Sequence, residues 1–88
     1  MQISKDAIHR NIAGEHILIP TGKMALQYSG VFVITEIGAE IWEMLQTGMD
    51  IPAITAALLE TYDVEKEVLV RDINDFLQML RENGLLWD

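Results

Sequence analysis

The chain has no cysteine, which excludes a disulfide scaffold, a thiolate metal site and a cysteine nucleophile. Histidine is scarce. His9 and His16 are the only two, and a pair seven residues apart, one of them in a β-prone run, matches no metal-ligand spacing of a small domain. Both are expected to be partly exposed surface side chains. The only serines, Ser4 and Ser29, lie near the terminus and in a turn, with no recognisable base partner. Gly22, Gly30, Gly38, Gly48 and Gly84 are scattered and build no phosphate-cradling loop. No catalytic residue, cofactor or metal is therefore expected, and the chain does not read as an enzyme. No purely apolar run is longer than Val31-Phe-Val-Ile34, far short of the roughly 20 residues that span a bilayer. The start, Met1-Gln-Ile-Ser-Lys-Asp, lacks the basic segment and apolar stretch of a signal peptide. A cytoplasmic location and no membrane partner are the resulting expectations.

What is present is acidity. Fourteen acids against six bases give 88 residues a net charge of −8. The imbalance is local. Residues 1–34 carry Lys5, Arg10 and Lys23 against Asp6 and Glu15, whereas residues 35–88 carry three bases against twelve acids. Nucleic-acid binding needs cations to replace phosphate counterions, so that function is disfavoured. The length suits one domain with a single core, residues 1–88, in which residues 1–12 are either a flexible arm or an edge strand.

Patterning divides the chain as the charge does. His16-Ile-Leu-Ile-Pro20 is a β-prone run closed by a proline that cannot donate to a ladder. Lys23 to Tyr28 alternates loosely, and Ser29-Gly30 separates it from Val31–Ile34, so a hairpin is expected there. Helical spacing begins after Thr35, a helix N-cap, with Ile37, Ile41, Met44 and Leu45 inward and Glu36, Glu40 and Glu43 outward. Thr47-Gly48 stops that helix. Asp50 caps a second, with Pro52 in its first turn and Ile51, Ile54, Leu58 and Tyr62 as its stripe. A third runs from about Glu65 to Asn83, with Leu69, Ile73, Phe76, Leu77 and Leu80 inward and Asn83-Gly84 as its stop. Leu85-Leu86-Trp87 then packs back on the body or forms a short strand. The expectation is an α+β domain of winged helix-turn-helix type, an N-terminal three-stranded antiparallel sheet followed by three helices.

Three binding readings remain. A winged-helix DNA-binding regulator would use the third helix, yet residues 65–82 carry three bases against five acids, which places carboxylates beside phosphates. A homodimerisation module would pair the Val31–Ile34 edge with itself, giving a monomer or a weak dimer. Peptide binding draws on two features. Val31, Phe32, Val33 and Ile34 are apolar on both faces, and an open strand edge offers unpaired amides and carbonyls to an added strand. On the third helix, Val68, Asp72, Asp75 and Met79 form a flank of mixed apolar and acidic character beside the core stripe. The opposite flank, Val70, Leu77 and Arg81, is the alternative wall.

From Ile12 onward the chain resembles the PqqD family, the small leader-peptide-recognising domains of ribosomally made, modified peptides. The resemblance is carried by Ala25-Leu-Gln-Tyr-Ser-Gly-Val-Phe-Val-Ile34, Gly38-Ala-Glu-Ile-Trp42 and Gly48. It continues through Ile51-Pro-Ala-Ile54 with Leu58, Tyr62-Asp-Val64, Arg71-Asp-Ile-Asn-Asp-Phe-Leu77, Leu80 and Asn83-Gly-Leu-Leu86. Where many members have Asn before the first helix, this chain has Thr35. It is as similar to stand-alone members of other peptide pathways, lasso-peptide ones included, as to those of pyrroloquinoline quinone synthesis. The resemblance implies that a precursor's leader peptide adds as a strand in a groove between the third strand and third helix. It also implies delivery to a modifying enzyme, often a radical S-adenosylmethionine enzyme. Carried onto this sequence, the peptide-binding elements are Val31–Ile34 and Glu65–Asn83, and the leader's Lys and Arg are expected to face the third helix.

Overall fold

A computed structural model describes residues 1–88. Three strands form the main sheet in the order β2 (Ala7–Ile12), β3 (Glu15–Pro20), β4 (Phe32–Ile34), all antiparallel. The helices are α1 (Gly22–Gln27), α2 (Glu36–Gln46), α3 (Ile51–Thr61) and α4 (Lys66–Glu82). A second, two-stranded sheet joins the ends of the chain, β1 (Gln2–Ile3) pairing with β5 (Leu86–Trp87). There the buried Ser4 donates its amide to the Leu85 carbonyl at 2.9 Å, tying the two termini together.

The α+β class, the three-stranded antiparallel sheet and the three long helices stand as the sequence implies. Two local assignments need correcting. The expected hairpin of residues 23–34 does not form, because residues 22–27 are helical. Lys23-Met-Ala-Leu-Gln27 consists entirely of good helix formers with no β-branched residue, and this outweighs a loose alternation. The hairpin is instead β2–β3, which turns at Ala13-Gly14 where both residues have positive φ, 53° and 85°. The first twelve residues thus supply an edge strand rather than an arm. Glu40 is the second correction: it is half-buried rather than outward-facing, and its Oε2 is buried without a partner.

The helix ends follow their residue chemistry. Thr35 Oγ1 accepts from the Gly38 amide at 3.0 Å, and Asp50 Oδ1 accepts from the Ala53 amide at 2.9 Å. Gly48 follows α2 with φ of 88° and Gly84 follows α4 with φ of 71°, left-handed positions that favour glycine. The core lies between the helix-facing side of the sheet and α2, α3 and α4. Leu18, Trp42, Ile54, Leu58, Leu69, Ile73, Leu80 and Leu85 are its fully buried members. Pairing registers place His9, His16, Leu18, Phe32 and Ile34 on this side of the sheet and Ile8, Arg10, Ile17, Ile19 and Val33 on the other.

Candidate functional site: a groove beside an open strand edge

β4 has only one sheet neighbour, so its second edge is unpaired. That edge borders a groove of about 630 Å³. One wall is Val33 and Ile34 of β4, continued by Thr35 and by Glu36, Ile37, Gly38 and Ile41 of α2. The facing wall is Asp72, Asp75, Phe76 and Met79 of α4, with Tyr62 closing the end next to α3. The apolar members form the floor. Asp72, Asp75 and Glu36 are exposed at the rim. An extended chain laid here has its backbone within reach of β4 and its alternate side chains over the floor.

The wall positions are set by packing rather than by chance. α4 turns Leu69, Ile73, Leu77 and Leu80 into the core, which carries Asp72, Asp75, Phe76 and Met79 round to the side facing β4. β4 is fastened to α4 from the other direction. The Tyr28 hydroxyl, just after α1, donates to the Asn83 carbonyl at 3.2 Å, and the Tyr28 and Phe32 rings meet edge to face at 5.5 Å. Gly38 matters because a larger residue crowds Phe76: a Cβ at residue 38 would lie 3.0 Å from that ring's Cε1, so the ring would have to give way.

Of the residues named from sequence, Val33, Ile34, Asp72, Asp75 and Met79 come together in the groove. Phe32 is half-buried on the same strand, facing the core, and Val31 precedes the strand with half its surface exposed. Val68 lies on α4 but does not line the groove; it is 43% exposed. On the alternative flank, Leu77 is buried in the core and Val70 faces a different hollow, between α3 and α4. Arg81 lies 3.9 Å from Asp88. Sequence reasoning missed Thr35, Glu36, Ile37, Gly38, Ile41, Tyr62 and Phe76 as groove residues: Thr35 reads as a cap, Glu36 as an outward face, Ile37, Ile41, Tyr62 and Phe76 as core stripe, and Gly38 carries no side chain to signal a site.

Tyr62 carries a distinct electrostatic mark. The neighbouring Glu40 carboxylate pushes the Tyr62 phenol up to about 12, with desolvation and the Glu36 charge acting in the same direction. Ile34 and Glu36 also line a second, polar cavity of about 580 Å³ at the β2–β3 turn, together with Asn11, Glu15 and His16. His16 Nδ1 lies 2.9 Å from His9 Nε2, and His9 Nδ1 lies 2.9 Å from Glu43 Oε1. The two histidines are thus half-buried and stacked in a chain toward α2, a linear arrangement rather than a convergent ligand set. No helix is long and apolar enough to cross a membrane.

Fold and site together define a class: a small winged-helix-like α+β domain with an unpaired sheet edge beside an apolar groove of acidic rim. The family model of Coenzyme PQQ synthesis protein D (PqqD) matches residues 15–86, and the chain belongs to that family. Among solved structures, the one described as TbiB1 in complex with the TbiA(beta) leader peptide is similar to this chain. The two share 30% identity and a TM-score of 0.77, over 98% of this chain and 94% of that chain. No curated protein sequence matches the chain significantly.

Proposed function

We propose that this protein binds the leader segment of a ribosomally synthesised precursor peptide by strand addition at β4 and presents it to a modifying enzyme. The observation that carries the reading is the unpaired β4 edge opening directly onto the groove, in a chain 30% identical to a protein solved with a leader peptide. Backbone groups of Val31, Phe32, Val33 and Ile34 pair with the leader. Asp72, Asp75 and Met79, joined by Phe76, form the opposite wall, and Val68 extends that wall beyond the groove proper. The domain is a peptide chaperone without a reaction of its own. Its partner is a modifying enzyme, a radical S-adenosylmethionine enzyme among the candidates, in a cytoplasmic pathway of the pyrroloquinoline quinone or lasso-peptide kind. It acts as a monomer or weak dimer and binds no nucleic acid.

The test is a titration of the isotope-labelled protein with the leader segment of the precursor peptide encoded nearest to its gene, following amide shifts. Shifts concentrated in residues 31–38 and 65–83 are expected. A binding isotherm whose shifts cluster on the β2 edge or the α3–α4 hollow refutes the site.

A further inference from the structure

The groove and the polar cavity share Ile34 and Glu36 as lining residues, so the two hollows adjoin at the end of β4 and the start of α2. Four carboxylates line the two hollows: Glu36 shared by both, Asp72 and Asp75 on the α4 wall of the groove, and Glu15 in the polar cavity. No lysine or arginine lines either cavity. A solvated helix face ordinarily mixes both signs, and α4 does so elsewhere with Lys66, Arg71 and Arg81. Here the acids come from three separate elements, β3, α2 and α4, and converge with nothing to balance them.

Taken with the open strand edge, we infer that the leader accepted at this site is a basic peptide strand. Its apolar residues occupy the groove floor, and a Lys or Arg at an alternate position beyond them lies between Glu36 and the Asp72–Asp75 face of α4. Side chains of an added strand point to the same face at every second residue, about 7 Å apart. A cation two residues from an apolar anchor at Ile37 and Phe76 therefore reaches the rim rather than the floor. The acidity thereby selects among peptides that the backbone pairing alone would accept equally. This inference rests on strand addition at β4, and its test separates the two.

A displayed library of random peptides of fixed length is selected on the intact protein, on Asp72→Asn/Asp75→Asn, and on the triple variant that adds Glu36→Gln. The double variant leaves the first turn of α2 untouched, and circular dichroism verifies that each variant folds. Expected is enrichment of Lys or Arg at a fixed even spacing from apolar residues with the intact protein, reduced in the double variant and absent in the triple. In an anisotropy titration of the best-enriched peptide, Lys→Gln in the peptide costs roughly two- to fivefold in Kd at low salt, and the triple variant erases that difference. Enriched apolar peptides that still shift the β4 amides but show no basic bias overturn the charge inference and leave strand addition standing. Failure to enrich any peptide that shifts β4 overturns both.

Discussion

The substitution Gly38→Ala tests whether the groove's shape is set by the contact between α2 and α4. The new Cβ would lie 3.0 and 3.2 Å from Cε1 and Cδ1 of Phe76 and 3.2 Å from Thr35 Oγ1. Carbon atoms in comfortable contact stand about 3.5–4.0 Å apart, so the ring must move by several tenths of an ångström. Alanine in place of glycine inside a helix contributes about 1 kcal/mol of stability, and an overpacked contact costs about 1–3 kcal/mol. The net expectation is a loss of roughly 0–2 kcal/mol, read by urea denaturation. Phe76 is half-buried and lines the groove, so the way out for its ring is into the groove itself. Leader affinity should fall about tenfold, a loss of about 1.4 kcal/mol, in an anisotropy titration. The decisive variant is Gly38→Ala/Phe76→Leu, which removes the ring edge that Cβ meets. The double variant should be more stable than the sum of the single effects by about 1 kcal/mol, because the helix-propensity gain then appears without the clash. Additive effects, or a stabilised Gly38→Ala protein of unchanged affinity, would refute the claim that this contact shapes the groove.

Two further outcomes follow from the caps and charges around the same site. Thr35→Ala removes the acceptor of the Gly38 amide at 3.0 Å and should cost about 1 kcal/mol in denaturation, while Thr35→Asn, which restores a capping side chain, should recover most of it. Tyr62, held at about 12 against an ordinary 10.0, should ionise late in an ultraviolet titration, and Glu40→Gln should bring it back toward the ordinary value. Because its folded value is the higher one, Tyr62's contribution to stability is complete below pH about 10 and is lost as pH rises through about 12. A Tyr62 titration unmoved by Glu40→Gln would mean that burial, not the carboxylate, sets it.

The helical part of the fold was legible because its signals reinforce one another. Thr35 and Asp50 are caps in the sequence and caps in the structure, Gly48 and Gly84 are stops in both, and the α4 stripe of Leu69, Ile73, Leu77 and Leu80 is buried as its spacing requires. The strands were less legible. Residues 7–12 carry only three aliphatic side chains among His9, Arg10 and Asn11, so nothing in their own pattern announces a strand. Their pairing with β3 decides it. Trp42 escaped the α2 stripe because that stripe assumes one apolar face, whereas α2 is covered by the sheet on one side and by α3 and α4 on others, which buries a wider arc. The groove was half legible. Periodicity places Asp72, Asp75 and Met79 on one flank of α4, but which flank faces β4 depends on how the helix is rotated about its axis. Tyr28, Phe32 and the core contacts fix that rotation, and Tyr28 and Phe32 lie more than thirty residues of chain before α4 begins.

The unpaired β4 edge, which we propose takes a peptide, is also open to other copies of this chain, and two features counter that hazard. β4 has only three residues, so backbone pairing alone offers few hydrogen bonds to a wrong partner. Its outward face is apolar: Val33 is 66% exposed, and its pairing partner Ile17 is buried although it stands outside the core cluster. That face would favour association if nothing opposed it. What opposes it is charge, since any second copy approaching this edge brings Glu36, Asp72 and Asp75 against the same three carboxylates and adds a molecule of net charge −8. A peptide with apolar residues and a cation meets the same edge without that repulsion. On the proposed reading, the short strand limits how tightly anything binds and the acidic rim selects what does. On this argument, neutralising the rim with Asp72→Asn/Asp75→Asn should loosen discrimination before it abolishes binding. Light scattering over a concentration series should then show the variant associating where the intact protein stays apart, and equal behaviour of the two would mean that β4's shortness alone protects the edge.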